Sequence, residues 1–293
     1  MREKDGKGNR EPNGFTFLLG ILVILLAFVC WMNFGPLLSF RILSIKALRE
    51  DPWAGVGDYL VVHAPYILFF IALYLGSNFI LKTRVRELIS GRRRYRWAYS
   101  FAVAGIYLGF LAIISLFQAR TISLDQTPFI DKMKLLLPIL LLTPMQALSE
   151  EIFFRALPAR LIYHNELPRT MLASLPIILV SGFLFLVPHL GNPEVSSSFI
   201  FSSLYYFLWG ALAMALGIYT DGFEAPVAMH IANNLYIALI VNYSDSSMPT
   251  YAIFINRGGV SSFFTVVEAC IVFLLVFLFS YLMKKKSAKM LKG

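Results

Sequence analysis

Long apolar stretches recur along almost the whole chain, and they constrain its fold more than any other feature. An α-helix needs about 20 apolar residues to cross a bilayer. Eight stretches are candidates for such spans: 15–36, 59–81, 98–118, 135–157, 169–190, 199–220, 225–243 and 263–283. The strands of a membrane β-barrel are about 9–11 residues long and alternate in polarity, which these stretches do not. The sequence therefore predicts an all-α fold, a polytopic integral membrane helical bundle of about eight transmembrane helices.

The composition excludes most other classes of protein. Of the 293 residues, 58% are hydrophobic and 15% are charged, whereas soluble domains are about 45–50% apolar and about 25% charged. The two cysteines, Cys30 and Cys270, both lie in apolar runs, which argues against a disulfide framework and against a cysteine metal site. Because no separate soluble region is evident, we expect a single transmembrane domain over residues 1–293.

The positive charges are distributed unevenly between alternate connections. Of the 26 lysines and arginines, 19 lie in the two tails and in the connections that follow the second and fourth spans. By the positive-inside rule this predicts that both termini are cytoplasmic, as an even number of spans requires. The basic run at 92–96 is interpreted as a lipid-facing cluster, so no nucleic acid partner is expected. The sequence predicts a multi-pass protein of the cell membrane in a prokaryote, or of the endoplasmic reticulum in a eukaryote.

Three acidic residues, Glu150, Glu151 and Glu268, lie inside predicted spans, where an ionisable group costs about 2.5 kcal/mol or more. Glu151 and Arg155 are one helical turn apart and are predicted to form an ion pair. Glu150 points about 100° further round the helix, and the two phenylalanines one turn ahead of it offer no partner. We therefore expect Glu151 to be held in its ionised form and Glu150 to be free to act as a general base. The structural alternative is an ion-pair clamp to a neighbouring helix.

Histidines supply further polar groups at helical spacing. His189 shares a helix face with Phe185, which can wall the imidazole, and His230 shares a face with Asn234. His63, near the start of the second span, is interpreted as a helix-packing or interfacial residue. A lone intramembrane histidine is more often a satisfied donor between helices, but polar groups in lipid must converge on one another or on water. Together, these residues predict a water-filled cavity that holds a hydrolytic site.

Three motifs are thus present: Glu-Glu-x-x-x-Arg at 150–155, Phe-x-x-x-His at 185–189 and His-x-x-x-Asn at 230–234. In this order on transmembrane segments they resemble the CPBP family, which comprises type II CAAX prenyl endopeptidases together with bacteriocin-processing and immunity proteins. The resemblance covers about residues 134–243 as a catalytic core, with 1–133 and 244–293 as peripheral helices and tails. The chain departs from the family pattern at Ala156, where glycine usually follows the arginine.

The resemblance implies an eight-helix intramembrane endopeptidase that depends on glutamate. By matched position, Glu150 with His189 would activate water, His230 and Asn234 would donate to the oxyanion, and the ion pair at 151–155 would support the site. The implied partners are the lipid bilayer and a hydrophobic or lipidated peptide substrate. A prenylated CAAX terminus, a bacteriocin leader and a peptide pheromone precursor are all compatible with the sequence.

Zinc is the one cofactor that the candidate site residues could bind. Glu150, His189 and His230 are candidate zinc ligands, with water in the fourth position. Asparagine, however, is a good oxyanion donor because its amide carries two N–H groups, and the chain contains no His-Glu-x-x-His sequence. The sequence therefore favours catalysis without a metal, and no cofactor is expected.

Two other functions fit the same polar cluster. A non-catalytic immunity or scaffold protein would keep it for helix packing, and a proton-coupled transporter would use Glu150 and Glu151 as a relay. The transporter is disfavoured because matched broken helices in two halves of the chain are not evident.

The depth of the two motif residues in the membrane raises a geometric problem. With two straight helices joined near residue 164, Glu150 and His189 would be offset by roughly 16 Å at about 1.5 Å per residue. If the two residues meet, we expect irregular or surface-lying backbone within about 156–176.

Overall fold

Helices form nearly all of the structure, a computed structural model that describes residues 14–50, 53–91, 94–163, 167, 170–258 and 263–290. The α-helices are α1 (Gly14–Val29), α2 (Gly35–Leu43), α3 (Ala54–Leu75), α4 (Val85–Ser90), α5 (Trp97–Phe117), α6 (Phe129–Glu151), α7 (Leu157–Tyr163), α8 (Met171–His189), α9 (Pro193–Ser197), α10 (Phe199–Thr220), α11 (Glu224–Leu239) and α12 (Phe263–Met290). A 3₁₀ turn covers Lys46–Leu48, and π-helical segments cover Cys30–Phe34, Gly76–Ile80 and Ile152–Ala156. The short strands are β1 (Ile122–Leu124), β2 (Val241–Tyr243) and β3 (Phe254–Asn256).

Seven helices among the described residues are long and apolar enough to cross a membrane. They correspond to the first six predicted spans and the last one, so the prediction of a polytopic all-α membrane protein is confirmed. The remaining predicted span, 225–243, is α11, which has 16 residues. At about 1.5 Å per residue it measures about 24 Å, less than the about 30 Å of the hydrocarbon core. Among the eight predicted spans, α11 is therefore the shortest helix.

A π-helical turn interrupts the span that carries the first motif. Ile152–Ala156 adopts this conformation directly after Glu151 and links α6 to α7, so that the combined helix runs over Phe129–Tyr163. Such turns insert one residue and are frequent at functional sites. Ala156, which stands in the place of the family glycine, is the last residue of the turn and is fully buried.

Irregular backbone within 156–176 stays a prediction. Leu157–Tyr163 and Met171–His189 are regular α-helix, Leu167 and Thr170 between them are not helical, and residues 164–166, 168 and 169 lie outside the described residues. The fourth span continues past residue 158 to Tyr163, which places Glu150 nearer the middle of a longer helix.

Helix ends and connections gather at one face that carries much of the positive charge, here called the basic face. It is formed by the start of α1, α4, the start of α5, α7, the junction of α10 with α11, and the end of α12. Arg96 donates to the Glu224 carboxylate at 2.9 Å and to the Thr220 carbonyl at 3.0 Å. Arg160 donates to the Leu88 carbonyl at 3.2 Å, and Lys284 donates to the Tyr219 carbonyl. The remaining basic groups of the predicted cytoplasmic side include residues 2–10, 92 and 93, which lie outside the described residues.

The first and last helices agree with this arrangement. The backbone of α1 at Gly20 packs against Leu161 of α7, and the end of α12 contacts the end of α10 at the same face. Both ends of the described chain therefore lie toward this face, and an even number of crossings stays a prediction. The cytoplasmic location of this face stays a prediction from the charge distribution.

The opposite face is closed by a small sheet, in the order β1-β3-β2. Strand β1 pairs antiparallel with β3, and β2 pairs parallel with it. Lys132, in the first turn of α6, donates to the Ala252 carbonyl at 2.8 Å and also bonds Asp125. Although burial opposes ionisation of Asp125, hydrogen bonds from Lys132 and Thr127 lower the pKa of this carboxyl. These bonds fix the connections of this face above the bundle.

Close packing of α8 against α10 brings the second motif toward the centre. A Cβ atom placed on Gly210 would lie 2.7 Å from the Ser181 carbonyl oxygen and 2.8 Å from Cβ of Phe185. No side chain fits at that distance, so glycine is what allows the two backbones to approach. The approach places Phe185 and His189 beside Tyr206 and Trp209 of α10.

Candidate active site

A cavity of about 370 Å³ lies between the helices, and Glu150, His189, His230 and Asn234 all line it. Its wall is built from α3, α6, α8, α10 and α11, together with Trp31 and with connections of the face opposite the basic one. Glu150 is 1% exposed, His230 5% and Asn234 8%. The structure thus brings together the four residues that the sequence assigns to catalysis, although they are up to 84 positions apart in the chain.

The predicted ion pair between Glu151 and Arg155 is present and completely buried. Arg155 donates from Nη1 to Glu151 and from Nε to the Gly210 carbonyl at 3.5 Å, and its guanidinium lies 4.4 Å from the ring centre of Phe185. Phe185 thus contacts the arginine of the first motif as well as His189, at 4.5 Å between ring centres. The first two motifs are joined through this one aromatic ring.

His230 lies between the two adjacent carboxylates. Its Nδ1 donates to Oε1 of Glu151 at 2.8 Å, and its Nε2 lies 3.7 Å from Oε2 of Glu150. Two groups therefore engage Glu151, whereas Glu150 faces the cavity. A carboxylate that accepts from one ring nitrogen fixes the orientation of the imidazole and directs the other nitrogen toward the site.

Glu150 has one neighbour that the sequence analysis missed. Gln146, one helical turn before it, donates to Oε1 of Glu150 at 3.2 Å. The Tyr66 hydroxyl also lies within hydrogen-bonding reach of Glu150 and Gln146. Oε2 of Glu150 is buried and has no partner in hydrogen-bond geometry. The sequence analysis considered only the residues one helical turn after Glu150, whereas its hydrogen-bond partner Gln146 lies one turn before it.

His189 is fixed by its own helix and by α10. Its Nδ1 donates to the Phe185 carbonyl at 2.6 Å, and its ring stacks on Tyr206 at 4.2 Å between centres. With the proton on Nδ1, a neutral imidazole keeps Nε2 as an acceptor. Electrostatic interactions connect His189 with Glu150 and His230 across the cavity.

The carboxamide of Asn234 is oriented by a short relay. Tyr107 donates to Oδ1 of Asn233 at 2.9 Å, and Nδ2 of Asn233 donates to Oδ1 of Asn234 at 3.1 Å. Because the oxygen of Asn234 accepts this bond, its NH₂ group is the part of the side chain left to donate into the cavity.

A second carboxylate in the cavity was not anticipated. Glu194 belongs to the connection after His189, where the sequence suggests solvent, yet it is 5% exposed and lines the cavity. Asn192 donates to it at 3.1 Å, Ser247 at 3.4 Å, and the Tyr206 hydroxyl also bonds it. Charge and hydropathy carry no signal for this site, since an acidic residue in a polar connection is normally solvated.

His63 and Glu268 lie in different surroundings. His63 stacks on Tyr59 of its own helix, α3, at 3.9 Å between centres, and it also lines the cavity. Its Nε2 lies near Gln146 without reaching hydrogen-bond geometry. Glu268 does not line the cavity; it accepts from Gln118 at 3.0 Å near the sheet. Glu268 is therefore a structural contact of that face.

Zinc is the cofactor that the sequence left open. Among the residues that the structure describes, no three His, Cys, Asp or Glu side chains are grouped as ligands of one metal. Nδ1 of His230 bonds Glu151 and Nδ1 of His189 bonds a backbone carbonyl, which leaves Nε2 of each ring for other partners. Catalysis without a metal stays a prediction, and no step below passes through a metal.

Comparison with known proteins agrees with the three motifs. Residues 132–236 match the model of the family described as type II CAAX prenyl endopeptidase Rce1-like. The central segment is thus similar to this family. The family resemblance predicted from the sequence is thereby confirmed. YyaK of Bacillus subtilis (strain 168), described as an uncharacterized protein, is 25% identical over 254 residues, which cover 85% of this chain and 79% of YyaK. No solved structure matches the chain significantly.

The Rce1-like segment contains the four candidate catalytic residues, but it does not form the whole cavity. Trp31, His63 and Tyr66 line it from before this segment, and the residues at 243–248 line it from after. Helices outside the matched segment therefore determine part of the pocket's shape.

Proposed function

We propose that the protein is an intramembrane endopeptidase that hydrolyses a peptide bond of a membrane-embedded or lipid-anchored substrate. The observation that supports this most is the convergence of Glu150, His189, His230 and Asn234 on one buried cavity. Ionisable and polar side chains are costly inside a bilayer protein, so their presence in the spans indicates a function. Amide hydrolysis is such a function, since it needs a base for water and donors for the oxyanion.

In the proposed mechanism Glu150 is the general base. A water molecule between Glu150 and His189 gives one proton to Oε2 of Glu150, and its oxygen attacks the scissile carbonyl carbon. Oε2 suits this role because it is buried and has no hydrogen-bond partner, so that a lone pair is available. Nε2 of His189 accepts a hydrogen bond from the same water and orients it. Collapse of the tetrahedral intermediate breaks the C–N bond, and the proton held by Glu150 passes to the leaving amine.

His230 and Asn234 donate to the oxyanion in this mechanism. Asn234 donates through its NH₂ group. Since Nδ1 of His230 already donates to Glu151, donation through Nε2 requires the imidazolium form. Two carboxylates and one guanidinium leave a single uncompensated negative charge in the buried cluster, and an imidazolium balances it. Preorganised donors of this kind act strongly because the site excludes bulk water.

The surroundings favour an apolar substrate. The cavity is walled by Trp31, Tyr66, Phe185 and Trp209 as well as by its polar groups, and it lies within a membrane bundle. A peptide that partitions into the bilayer, through a lipid anchor or its own apolar residues, reaches such a site first. This substrate class includes prenylated CAAX termini, bacteriocin leaders and pheromone precursors.

Turnover of a defined peptide by purified protein tests the proposal. The protein in detergent is mixed with a quenched fluorogenic peptide bearing a prenyl or acyl chain, and the products are identified by mass spectrometry in water enriched in ¹⁸O. A single internal cut with ¹⁸O in the new carboxylate supports hydrolysis by water. Binding without cleavage would favour a non-catalytic scaffold, and proton flux that depends on substrate in proteoliposomes would favour transport.

Removing the proposed amide donor should lower the rate without unfolding the protein. Asn234→Ala is expected to reduce kcat by about 10²–10³-fold, the typical effect of losing one oxyanion donor, with a smaller change in KM. The matched control is Asn78→Ala, which removes an exposed asparagine that bonds only the Tyr74 carbonyl of its own helix and should leave kcat unchanged. Equal rates for the two variants would remove Asn234 from the mechanism.

Chelation should leave the activity intact. Dialysis against a strong chelator is expected to change kcat by less than twofold, because the proposed mechanism assigns every role to side chains and no group of three His, Cys, Asp or Glu ligands is found among the described residues. Metal content is measured on the same sample. Loss of activity that stoichiometric zinc restores would contradict this prediction and return Glu150, His189 and His230 to the role of ligands.

A further inference from the structure

The connections that line the cavity all lie at one face of the bundle, as far as the described residues show. The lining residues that belong to connections and short elements beyond the spans are Asn192, Glu194, Tyr243, Ser246, Ser247 and Met248. All of them belong to the face opposite the basic one, next to the sheet. None of the lining residues comes from the described parts of the basic-face connections. An aqueous path to Glu150 therefore runs past Glu194 and Ser247.

The distribution of positive charge indicates on which side of the membrane these connections lie. The basic face is formed by α4, the start of α5, α7 and the end of α12, which adjoin in sequence the connections and the tail that are rich in lysine and arginine, so the positive-inside rule places this face in the cytoplasm. The opposite face then lies on the far side of the membrane. In a prokaryote this is the outer surface of the cell membrane, and in a eukaryote it is the lumen.

The lining also selects by charge. Among the described residues it contains two carboxylates, Glu150 and Glu194, and no lysine or arginine. A substrate carboxylate in this cavity would meet like charges, while the proposed imidazolium of His230 is already paired with Glu151, and this is costly in a low-dielectric site. A substrate peptide whose sequence near the scissile bond is neutral or basic does not incur this electrostatic cost. A free C-terminal carboxylate near the cleavage site is therefore disfavoured.

We propose that the substrate is an exported peptide segment, neutral or basic around the cleaved bond, that enters the cavity from the extracytoplasmic side past Glu194 and Ser247. This inference rests on the proposed endopeptidase function and narrows its substrate. It favours a peptide or leader that has crossed the membrane over a lipidated protein whose C-terminus lies in the cytoplasm.

Cysteine labelling tests the direction of access without any activity. In a background with Cys30 and Cys270 replaced by alanine, Ser247→Cys at the opening and Ile237→Cys within the cavity are treated with a membrane-impermeant maleimide in intact bacterial cells. Both are expected to react. The matched control Arg86→Cys, on α4 of the basic face, should react only after the cells are permeabilised.

The labelling pattern decides the inference by itself. Reaction of Ser247→Cys or Ile237→Cys only after permeabilisation, or failure of Ile237→Cys to react in either state, overturns it, since the cavity must be open to water from outside. Such a result leaves the endopeptidase proposal untouched. Conversely, labelling as expected in a protein that cleaves no peptide would sustain the access route and count against the proposed function.

Two peptides test the charge preference with the active protein in detergent. One fluorogenic peptide carries lysines and the other glutamates two residues from the scissile bond, with the same apolar tail and an amidated C-terminus. The basic peptide is expected to have a kcat/KM at least tenfold higher, and Glu194→Gln should reduce this ratio. A preference for the acidic peptide would overturn the assignment of substrate charge.

Discussion

Replacing Glu150 by glutamine is expected to lower kcat by about 10²–10⁴-fold, the range that a general base contributes. Glutamine keeps the size of the side chain and its hydrogen bond from Gln146, but it cannot take a proton from water. The change also removes one of two adjacent buried carboxylates and leaves the ion pair of Arg155 with Glu151 in place, so the folded state should not be weakened. The initial rate at saturating peptide, together with the melting temperature in the same detergent, measures both effects.

The control for this variant is Glu50→Gln. Glu50 is an exposed carboxylate that lies 3.8 Å from Lys46, and its loss should change neither rate nor melting temperature. A Glu150→Gln protein that turns over substrate at the rate of the control would eliminate Glu150 as the base. A large fall in melting temperature would instead show that Glu150 has a structural role, and the structural alternative of an ion-pair clamp would then gain support.

The bilayer explains why so much of this site could be predicted. In a water-soluble protein, Glu150, His230 and Asn234 would be three polar residues among many. In a span, each carries a free-energy cost that only a shared polar environment offsets. The i, i+4 spacing of Glu151 and Arg155 is enough to predict their ion pair, because helix geometry alone brings the two side chains together.

What the sequence did not predict are the contacts made by polar residues outside the spans. Glu194 is buried because α9 packs against the start of α10, where Ser202 and Tyr206 bond it, and a connection's path is not encoded in hydropathy. The depth of Glu150 was also misjudged. Arg155 and Arg160 suggest the end of a membrane helix, yet both are buried, so the helix continues to Tyr163 and the charged residues lie inside the protein.

Removing the charge of Arg155 should destabilise the protein more than any other single change in the cluster. Arg155→Met leaves Glu151 buried with only His230 to compensate it, and breaking a buried pair in this way costs about 3–5 kcal/mol. Total stabilities are about 5–15 kcal/mol, so a marked fall in melting temperature and in the yield of monodisperse protein is expected. Thermal unfolding in detergent, followed by size-exclusion chromatography, measures the loss.

The ion pair between Lys46 and Glu50 has the same i, i+4 spacing and provides a matched control for the loss of stability in Arg155→Met. Lys46 and Glu50 are 79% and 61% exposed, and Lys46→Met should cost no more than about 1 kcal/mol. If both methionine variants unfold at the same temperature, the buried pair does not have the role assigned to it.

A double variant separates the stability of the cluster from its chemistry. Arg155→Met combined with Glu151→Gln removes both charges of the pair, and neutral replacement of a buried ion pair is often tolerated. Most of the melting temperature should therefore return. The rate should not return, because a neutral amide no longer supports the imidazolium form of His230 on which oxyanion stabilisation depends. Recovery of both would show that Glu151 and Arg155 serve only to hold the helices together, and recovery of neither would place the requirement for these charges in folding itself.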